Sequence, residues 1–207
     1  MNILIADDHA IVRKGLIQLL REEFRSAQVT EASNSDEVCD KARGKIWDII
    51  LLDISMPGRN GVDILKQLRA EGTKAPILML SMHPEDQYAV RVLKAGASGF
   101  LNKDSATEEL IKAIHKVLSG KKYISASLAE KLAEGAVSSD KPAHELLSDR
   151  EMQVFQLLAS GKTVGEVADE ISLSVNTIST YRARVLEKLG LNNNAELTRY
   201  AMDHDMV

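Results

Sequence analysis

Two runs of four unbroken apolar residues, Ile49-Ile50-Leu51-Leu52 and Ile77-Leu78-Met79-Leu80, constrain this chain more than any other feature. A half-exposed strand alternates apolar and polar residues, and an amphipathic helix spaces its apolar residues three and four apart, so a short solid block fits neither. It fits a strand buried on both faces in the middle of a parallel sheet, and parallel strands need a crossover connection between them. Three more strand-like runs lie at 2–6, 28–32 and 99–102. Helical spacing fills the gaps. In 9–23, Ile11, Leu16, Leu19 and Leu20 keep the rhythm; 35–43 opens on Ser35 as an expected N-cap; 61–71 follows a Pro-Gly turn; 84–94 ends before Gly96. The segment 105–118 starts Ser-x-x-Glu, so a capping box between Ser105 and Glu108 is expected. Strict alternation of strand and helix predicts an α/β fold with right-handed crossovers.

The chain's 207 residues allow one or two domains, and 44% apolar residues are enough for a real core. No stretch approaches the ~20 apolar residues of a membrane span, and no leader pattern opens the chain. The single cysteine, Cys39, excludes an internal disulfide and a CxxC metal site. A cytoplasmic protein with no membrane partner is expected.

In open parallel sheets the functional crevice lies beyond the carboxyl ends of the strands. Those ends carry Asp7-Asp8, Asp53, Ser81 and Lys103. Three carboxylates in one crevice repel one another unless a cation sits among them. A hard divalent ion with oxygen ligands answers this, and partly hydrated Mg²⁺ suits a site with one or two direct carboxylates. With a fixed lysine it makes a place for a phosphoryl group, whose transfer needs mostly positioning and charge neutralisation. The remaining carboxylate can then be the nucleophile, giving an aspartyl phosphate. Each residue also has an ordinary role open to it. Asp7 or Asp8 can cap the next helix, Asp53 can serve the turn before Met56-Pro57-Gly58, Ser81 can cap a loop, and Lys103 can be solvated. Those coincidences would have to repeat at successive strand ends, whereas one site accounts for them together. His9, His115, His144 and His204 read as solvated, with no metal role.

The stretches ILIADDH, DIILLDISMPGRNGVDIL, PILMLS and KAGASGFLNKD resemble, in this order, the receiver domain of bacterial two-component response regulators over residues 1–120. The resemblance implies a flavodoxin-like, five-stranded parallel sheet in the order 2-1-3-4-5. It implies phosphorylation on Asp53 by a sensor histidine kinase, with Lys103 and Ser81 completing the chemistry. Mg²⁺, or another divalent cation, would be held by Asp8, Asp53 and the Ser55 backbone carbonyl, with Asp7 acting mostly through water. Ser81 and Phe100 would form the switch, the ring turning inward as Ser81 moves. Ser55 and His83 occupy positions that tune phosphoryl lifetime in such domains. Many receivers have Lys-Pro after the fifth strand; here Lys103-Asp104 excludes a cis-proline.

Beyond Ser119 the pattern weakens. A short helix is expected over 127–134, then a linker through Lys141-Pro142. Helical rhythm returns at Leu146, with Ser148 and Glu151 at capping-box spacing and Gly161 as a stop. A helix from Thr163, a tight turn at Ser172-Leu173-Ser174 and a longer helix 175–189 closed by Gly190 read as helix-turn-helix. The domain expectation is therefore 1–122, a linker over 123–144, and an all-α helix-turn-helix domain over 145–207.

LSDRE, LLASGKTVGEVADEISLS, NTISTYRARVLEKLGL and NAELTRYA resemble the LuxR-type helix-turn-helix of NarL/FixJ response regulators. Carried over by position, Ser179, Thr180 and Ala183 would face bases of double-stranded DNA. Thr177, Arg182, Arg184 and Lys188 would approach its backbone, and the last helix would pair subunits into a homodimer. The family more often has Lys where Ser179 stands. Charge bears on how such a domain binds. Residues 1–122 are net +1 and 123–207 net −5, while 174–190 carry Arg182, Arg184 and Lys188 against Glu187 alone. Few cations mean weak monomer binding, which dimerisation on two half-sites would strengthen. The reading is a phosphorylation-switched transcription regulator, not an enzyme for an external substrate. An aspartyl phosphohydrolase would want a second Asp where Asp53-Ile54-Ser55 has none. A phosphorylation-independent regulator and a protein-interaction adaptor are compatible with the same chain.

Overall fold

The computed structural model describes residues 1–56, 59–82, 85–125, 128–130, 143–204 and 206–207. Apart from 128–130, the helix expected over 127–134 and the linker after it lie outside the described residues, as does His83. The chain divides into two compact units, 1–136 and 137–207. Among the described residues no helix is long and apolar enough to cross a membrane.

The first unit alternates as expected: β1 (Asn2–Ala6), α1 (Ala10–Glu23), β2 (Gln28–Ala32), α2 (Ser35–Arg43), β3 (Ile49–Asp53), α3 (Gly61–Ala70), β4 (Ile77–Ser81), α4 (Glu85–Lys94), β5 (Gly99–Asn102) and α5 (Ala106–Leu118). The strands form one parallel sheet in the order β2-β1-β3-β4-β5. Every residue of β3 and β4 is buried, because helices cover both faces. On one face Ile3, Ile5, Ile49, Leu51, Leu78, Leu80 and Leu101 pack with Leu16 and Leu20 of α1 and Leu110, Ile114 and Val117 of α5. The alternate strand residues point to the other face. The register sets Ala6 beside Leu52 and Ser81 beside Asn102, so all strand ends come out at one level.

Two expected caps are corrected. Asn34, not Ser35, caps α2: its Oδ1 accepts the Glu37 N–H at 3.0 Å, and Ser35 is buried as the first helical residue. An amide oxygen one residue earlier reaches the same orphan donor, and both residue types cap well. Ser105 precedes α5 but makes no side-chain cap bond; its hydroxyl donates to the Asn102 carbonyl at 3.1 Å, inside a 3₁₀ turn over Lys103–Ser105. Its expected partner, the Glu108 side chain, lies outside the described ones. The sheet also extends past the expected strands. Tyr123 N–H donates to the Ser98 carbonyl and Phe100 N–H to the Tyr123 carbonyl, covering the outer edge of β5.

The second unit has a 3₁₀ turn (Ala143–Leu146), then α6 (Asp149–Ala159), α7 (Val164–Glu170), α8 (Val175–Leu189) and α9 (Asn194–Asp203). Ser148 with Glu151, and Thr163 with Glu166, form complete capping boxes. Gly161 (φ 93°) and Gly190 (φ 68°) end α6 and α8 in the left-handed region, where a side chain would be strained. Phe155, Leu158, Val167, Ile178, Val185 and Leu197 are buried where α6 packs on α8 and α9, and α7 on α8.

Candidate functional site

The strand ends bring Asp7, Asp53 and Lys103 into contact. Lys103 follows β5 and is nearly buried; its Nζ lies 2.7 Å from Asp7 Oδ2 and 2.8 Å from Asp53 Oδ2. Asp7 and Asp53 have side chains 0% and 1% exposed. One ammonium therefore faces two buried carboxylates, with Asp8 beside them. Burial pushes the Asp53 carboxyl up to about 6; the Asp7 charge adds to this, and Lys103 opposes it. Burial alone would lower the Lys103 ammonium, but the facing Asp53 and Asp7 carboxylates outweigh it and raise it. The Ser55 N–H donates to Asp53 Oδ1 at 3.2 Å, fixing the carboxylate's orientation.

Asp7 Oδ2 and Asp53 Oδ2 share the one Lys103 ammonium, and Asp8 Oδ1 is buried without a hydrogen-bond partner among the described residues. Buried carboxylate oxygens left in this way are costly unless something else takes their lone pairs. Three such oxygens with one compensating lysine fit a hard divalent cation. One ligand atom from each of Asp7, Asp8, His9 and Asp53 lies within 4.8 Å of the others. His9 is exposed, as expected, but its ring, given no metal role from the sequence, lies in the cluster.

Ser81 ends β4, fully buried. Phe100, 1% exposed, sits on β5 beside Met79, with its ring inside the fold. Ser55 is half-buried after Asp53. Two further residues shape the crevice without having been expected to. Arg13 Nη1 donates to the Asp7 and Asp8 carbonyls at 2.7 and 3.2 Å, while its Nε donates to Glu31 at 2.9 Å, so α1 and β2 together clamp the acidic loop. Gly61 opens α3 directly against the Asp53 carbonyl. The signal for Gly61 was its place after the capping Asn60; Arg13 gave none beyond being one turn from Asp8.

In the second unit, α8 buries Ile178, Val185, Leu186 and Leu189 and exposes Asn176, Ser179, Thr180, Ala183 and Arg184. Ser174 caps the helix by accepting the Thr177 N–H at 3.1 Å, and the two hydroxyls lie 2.8 Å apart. The Thr180 hydroxyl donates back to the Asn176 carbonyl at 2.9 Å. The three cations of α8 differ in what they touch. Arg182 Nε donates to Asn194 Oδ1 at 2.6 Å, tying α8 to α9. Lys188 Nζ lies 2.6 Å from Glu151 Oε2, the acid of the α6 capping box. Burial pushes the Glu151 carboxyl up, but the Lys188 ammonium and the Ser148 N–H and hydroxyl outweigh it and hold it below the usual range. Arg184 makes no ion pair or hydrogen bond among the described residues. His204 is exposed, as expected, and stacks on the Tyr200 ring at 4.2 Å; His144, expected in solvent, is half-buried, with its Nδ1 3.2 Å from the Tyr200 hydroxyl.

Residues 3–115 match the response regulator receiver domain, and residues 145–201 match the bacterial regulatory proteins of the luxR family. The response regulator UvrY of Escherichia coli strain K12 is 32% identical over 208 residues, covering 100% of this chain and 95% of that protein. The response regulator GacA of Pseudomonas aeruginosa is 33% identical over 211 residues, covering 100% and 98%. Among solved structures, RcsB from Salmonella enterica serovar Typhimurium, bound to promoter rprA in the presence of phosphomimetic BeF3-, is 28% identical with a TM-score of 0.68 over 97% of each chain. A structure of two RcsB dimers bound to two parallel DNAs is 28% identical with a TM-score of 0.61 over 98% of each chain.

Proposed function

The chain belongs to the response regulators that join a receiver domain to a luxR-family domain, and on that premise we propose that it is a transcription regulator switched by phosphorylation of Asp53. In this reading residues 1–122 accept the phosphoryl group, 123–144 link, and 145–207 bind double-stranded DNA. A sensor histidine kinase supplies the group from its phosphohistidine. An Asp53 carboxylate oxygen attacks phosphorus, the new O–P bond forms as the N–P bond breaks, and the imidazole of the kinase leaves. The observation that carries the reading is the buried Asp7–Lys103–Asp53 contact, in which one ammonium serves two carboxylates.

Asp8, Asp53 and the Ser55 carbonyl would hold the divalent cation, Mg²⁺ in this reading, and Asp7 would act on it mostly through water. When bound, the cation supplies charge neutralisation for the phosphoryl oxygens. Lys103 stays against those oxygens after transfer, Ser81 donates its hydroxyl to them, and Phe100 follows Ser81. The protein catalyses only its own phosphorylation and dephosphorylation, in the cytoplasm and away from any membrane. Phosphorylation brings two chains together, and the dimer engages an operator through Thr177, Ser179, Thr180, Arg182, Ala183, Arg184 and Lys188. The DNA-bound RcsB dimers support this step by likeness.

The test uses acetyl phosphate with Mg²⁺ or with EDTA, reading intact mass and oligomeric state together. The expected result is a Mg²⁺-dependent gain of one phosphoryl group and dimerisation, both absent in Asp53→Asn. A phosphoryl gain that Asp53→Asn retains, or one that leaves oligomeric state and DNA affinity unchanged, overturns the reading.

The differing partners of the α8 cations give a second expected outcome. Arg184→Ala should flatten the salt dependence of binding to mixed-sequence duplex by about one unit of slope, as the loss of one phosphate contact does. Lys188→Met should instead destabilise the second unit by about 1–3 kcal/mol, because it leaves the Glu151 carboxylate, 4% exposed, without its charge partner. Duplex binding that is undetectable and indifferent to both would point to the adaptor role instead.

A further inference from the structure

His9 stands where a histidine gives the helix least. It is the N-cap of α1, yet its side chain makes no capping bond, a duty that Ser, Thr, Asp or Asn would perform. The ring turns to the acidic loop instead. The His9 N–H donates to Asp7 Oδ1 at 2.8 Å, and Nδ1 lies 2.7 Å from Asp8 Oδ1 and 3.5 Å from Asp7 Oδ1. The shorter contact is not an aligned hydrogen bond, since Asp8 Oδ1 has no hydrogen-bond partner among the described residues. The ring nitrogen and one oxygen of each of the two carboxylates therefore lie side by side. Neighbouring ligands of an octahedral ion with bonds near 2.1 Å are about 3 Å apart, and the two Nδ1 distances bracket that spacing. The His9 side chain is 66% exposed, so it reaches an ion at the mouth of the crevice without opening the core.

Nitrogen changes what such a site prefers. Oxygen-only ligand sets suit Mg²⁺, whereas an imidazole shifts preference toward the first-row transition ions, least for Mn²⁺ and more for the later ones. We propose that His9 adds its Nδ1 to the divalent-cation site, raising this receiver's affinity for first-row transition ions, Mn²⁺ among them, relative to Mg²⁺. The inference rests on reading the acidic crevice as a cation site. A ring held there only by the attraction of the carboxylates would contribute no bond to the ion.

Pulsed EPR on the full chain loaded with Mn²⁺ separates the two. The wild type is expected to show the ¹⁴N coupling of a bound imidazole, and His9→Gln to lose it. Calorimetry should find Mn²⁺ affinity about tenfold weaker in His9→Gln, the lower end of what a lost metal partner costs. Mg²⁺ affinity should move little, so the Mn²⁺/Mg²⁺ ratio falls by a similar factor. Bound Mn²⁺ without imidazole coupling, or coupling that survives in His9→Gln, overturns the role of His9 and leaves an oxygen-only site standing. Mn²⁺ binding that Asp8→Asn fails to weaken lies elsewhere and overturns the cation-site reading as well.

Discussion

In EDTA at pH 7.5, Asp53→Asn is expected to make the receiver unit more stable, even though it removes half of a buried ion pair. Asn approximates the protonated acid in shape and charge, so the comparison is between an ionised and a neutral group in the same place. Burial, aided by Asp7, lifts the Asp53 carboxyl to about 6 in spite of Lys103, against an ordinary value near 3.9 in the unfolded chain. Between those values the folded state binds the more protons, so this group's contribution to stability falls as pH rises from about 4 to about 6 and stays lost above. Two units correspond to roughly 3 kcal/mol. Lys103 remains paired with Asp7 in the variant, which limits the loss on its side. Trp47, the single tryptophan and buried in this unit, reports its unfolding in urea. The gap between variant and wild type should be largest above pH 6 and close toward pH 4. A variant less stable at pH 7.5, or a gap independent of pH, would contradict the burial account. Added Mg²⁺ should narrow the gap by stabilising the wild type more.

Gly61→Ala should damage both the fold and phosphoryl transfer. A Cβ on Gly61 would fall 2.1 Å from the Asp53 carbonyl oxygen, 2.8 Å from Ile54 Cα and 2.9 Å from the Asp53 carbonyl carbon. All three are backbone atoms, so no rotamer change relieves the overlap. Either α3 lifts off the sheet or the end of β3 moves, and the second carries the Asp53 carboxylate with it. Overpacking of this kind costs about 1–3 kcal/mol, and a displacement of even 1 Å at a reacting group costs about 100-fold in rate. Gly15→Ala is the matched control. Gly15 lies within α1, a Cβ there meets nothing within 4 Å, and alanine should stabilise by about 0.5–1 kcal/mol. Trp47 fluorescence and the initial rate of acetyl phosphate labelling would be measured for both. Normal labelling and unchanged stability in Gly61→Ala would show that β3 and α3 do not meet as closely as described.

The legible part of this protein was local or periodic. The unbroken apolar runs Ile49–Leu52 and Ile77–Leu80 need helices on both faces, and that alone calls for a parallel sheet. The rule for strand ends then points to Asp7, Asp8, Asp53, Ser81 and Lys103 as neighbours, and the structure brings Asp7, Asp53 and Lys103 within 2.8 Å contacts. The cap of α6 was legible because Ser148 and Glu151 lie three residues apart.

What stayed hidden depends on pairs far apart in sequence or on a choice between equivalent neighbours. Asn34 and Ser35 are both good caps, and only the path of the chain leaving β2 decides between them. Lys188 looks like one more cation of a DNA-facing helix until the packing of α8 on α6 sets it beside Glu151, 37 residues earlier. Tyr123 has no strand pattern; it joins the sheet because α5 returns the chain to the open edge of β5. His9 is adjacent to Asp8 in sequence, yet nothing local says that its exposed ring sets Nδ1 beside the carboxylates. Which residues are strands, which are helices and which strand ends carry charge can be read along the chain, because backbone geometry makes those properties periodic and short-range. Which charges share a partner and which oxygens go without one is settled in three dimensions, because burial and long-range contact set the cost of a charge, and neither is a property of any short stretch of chain.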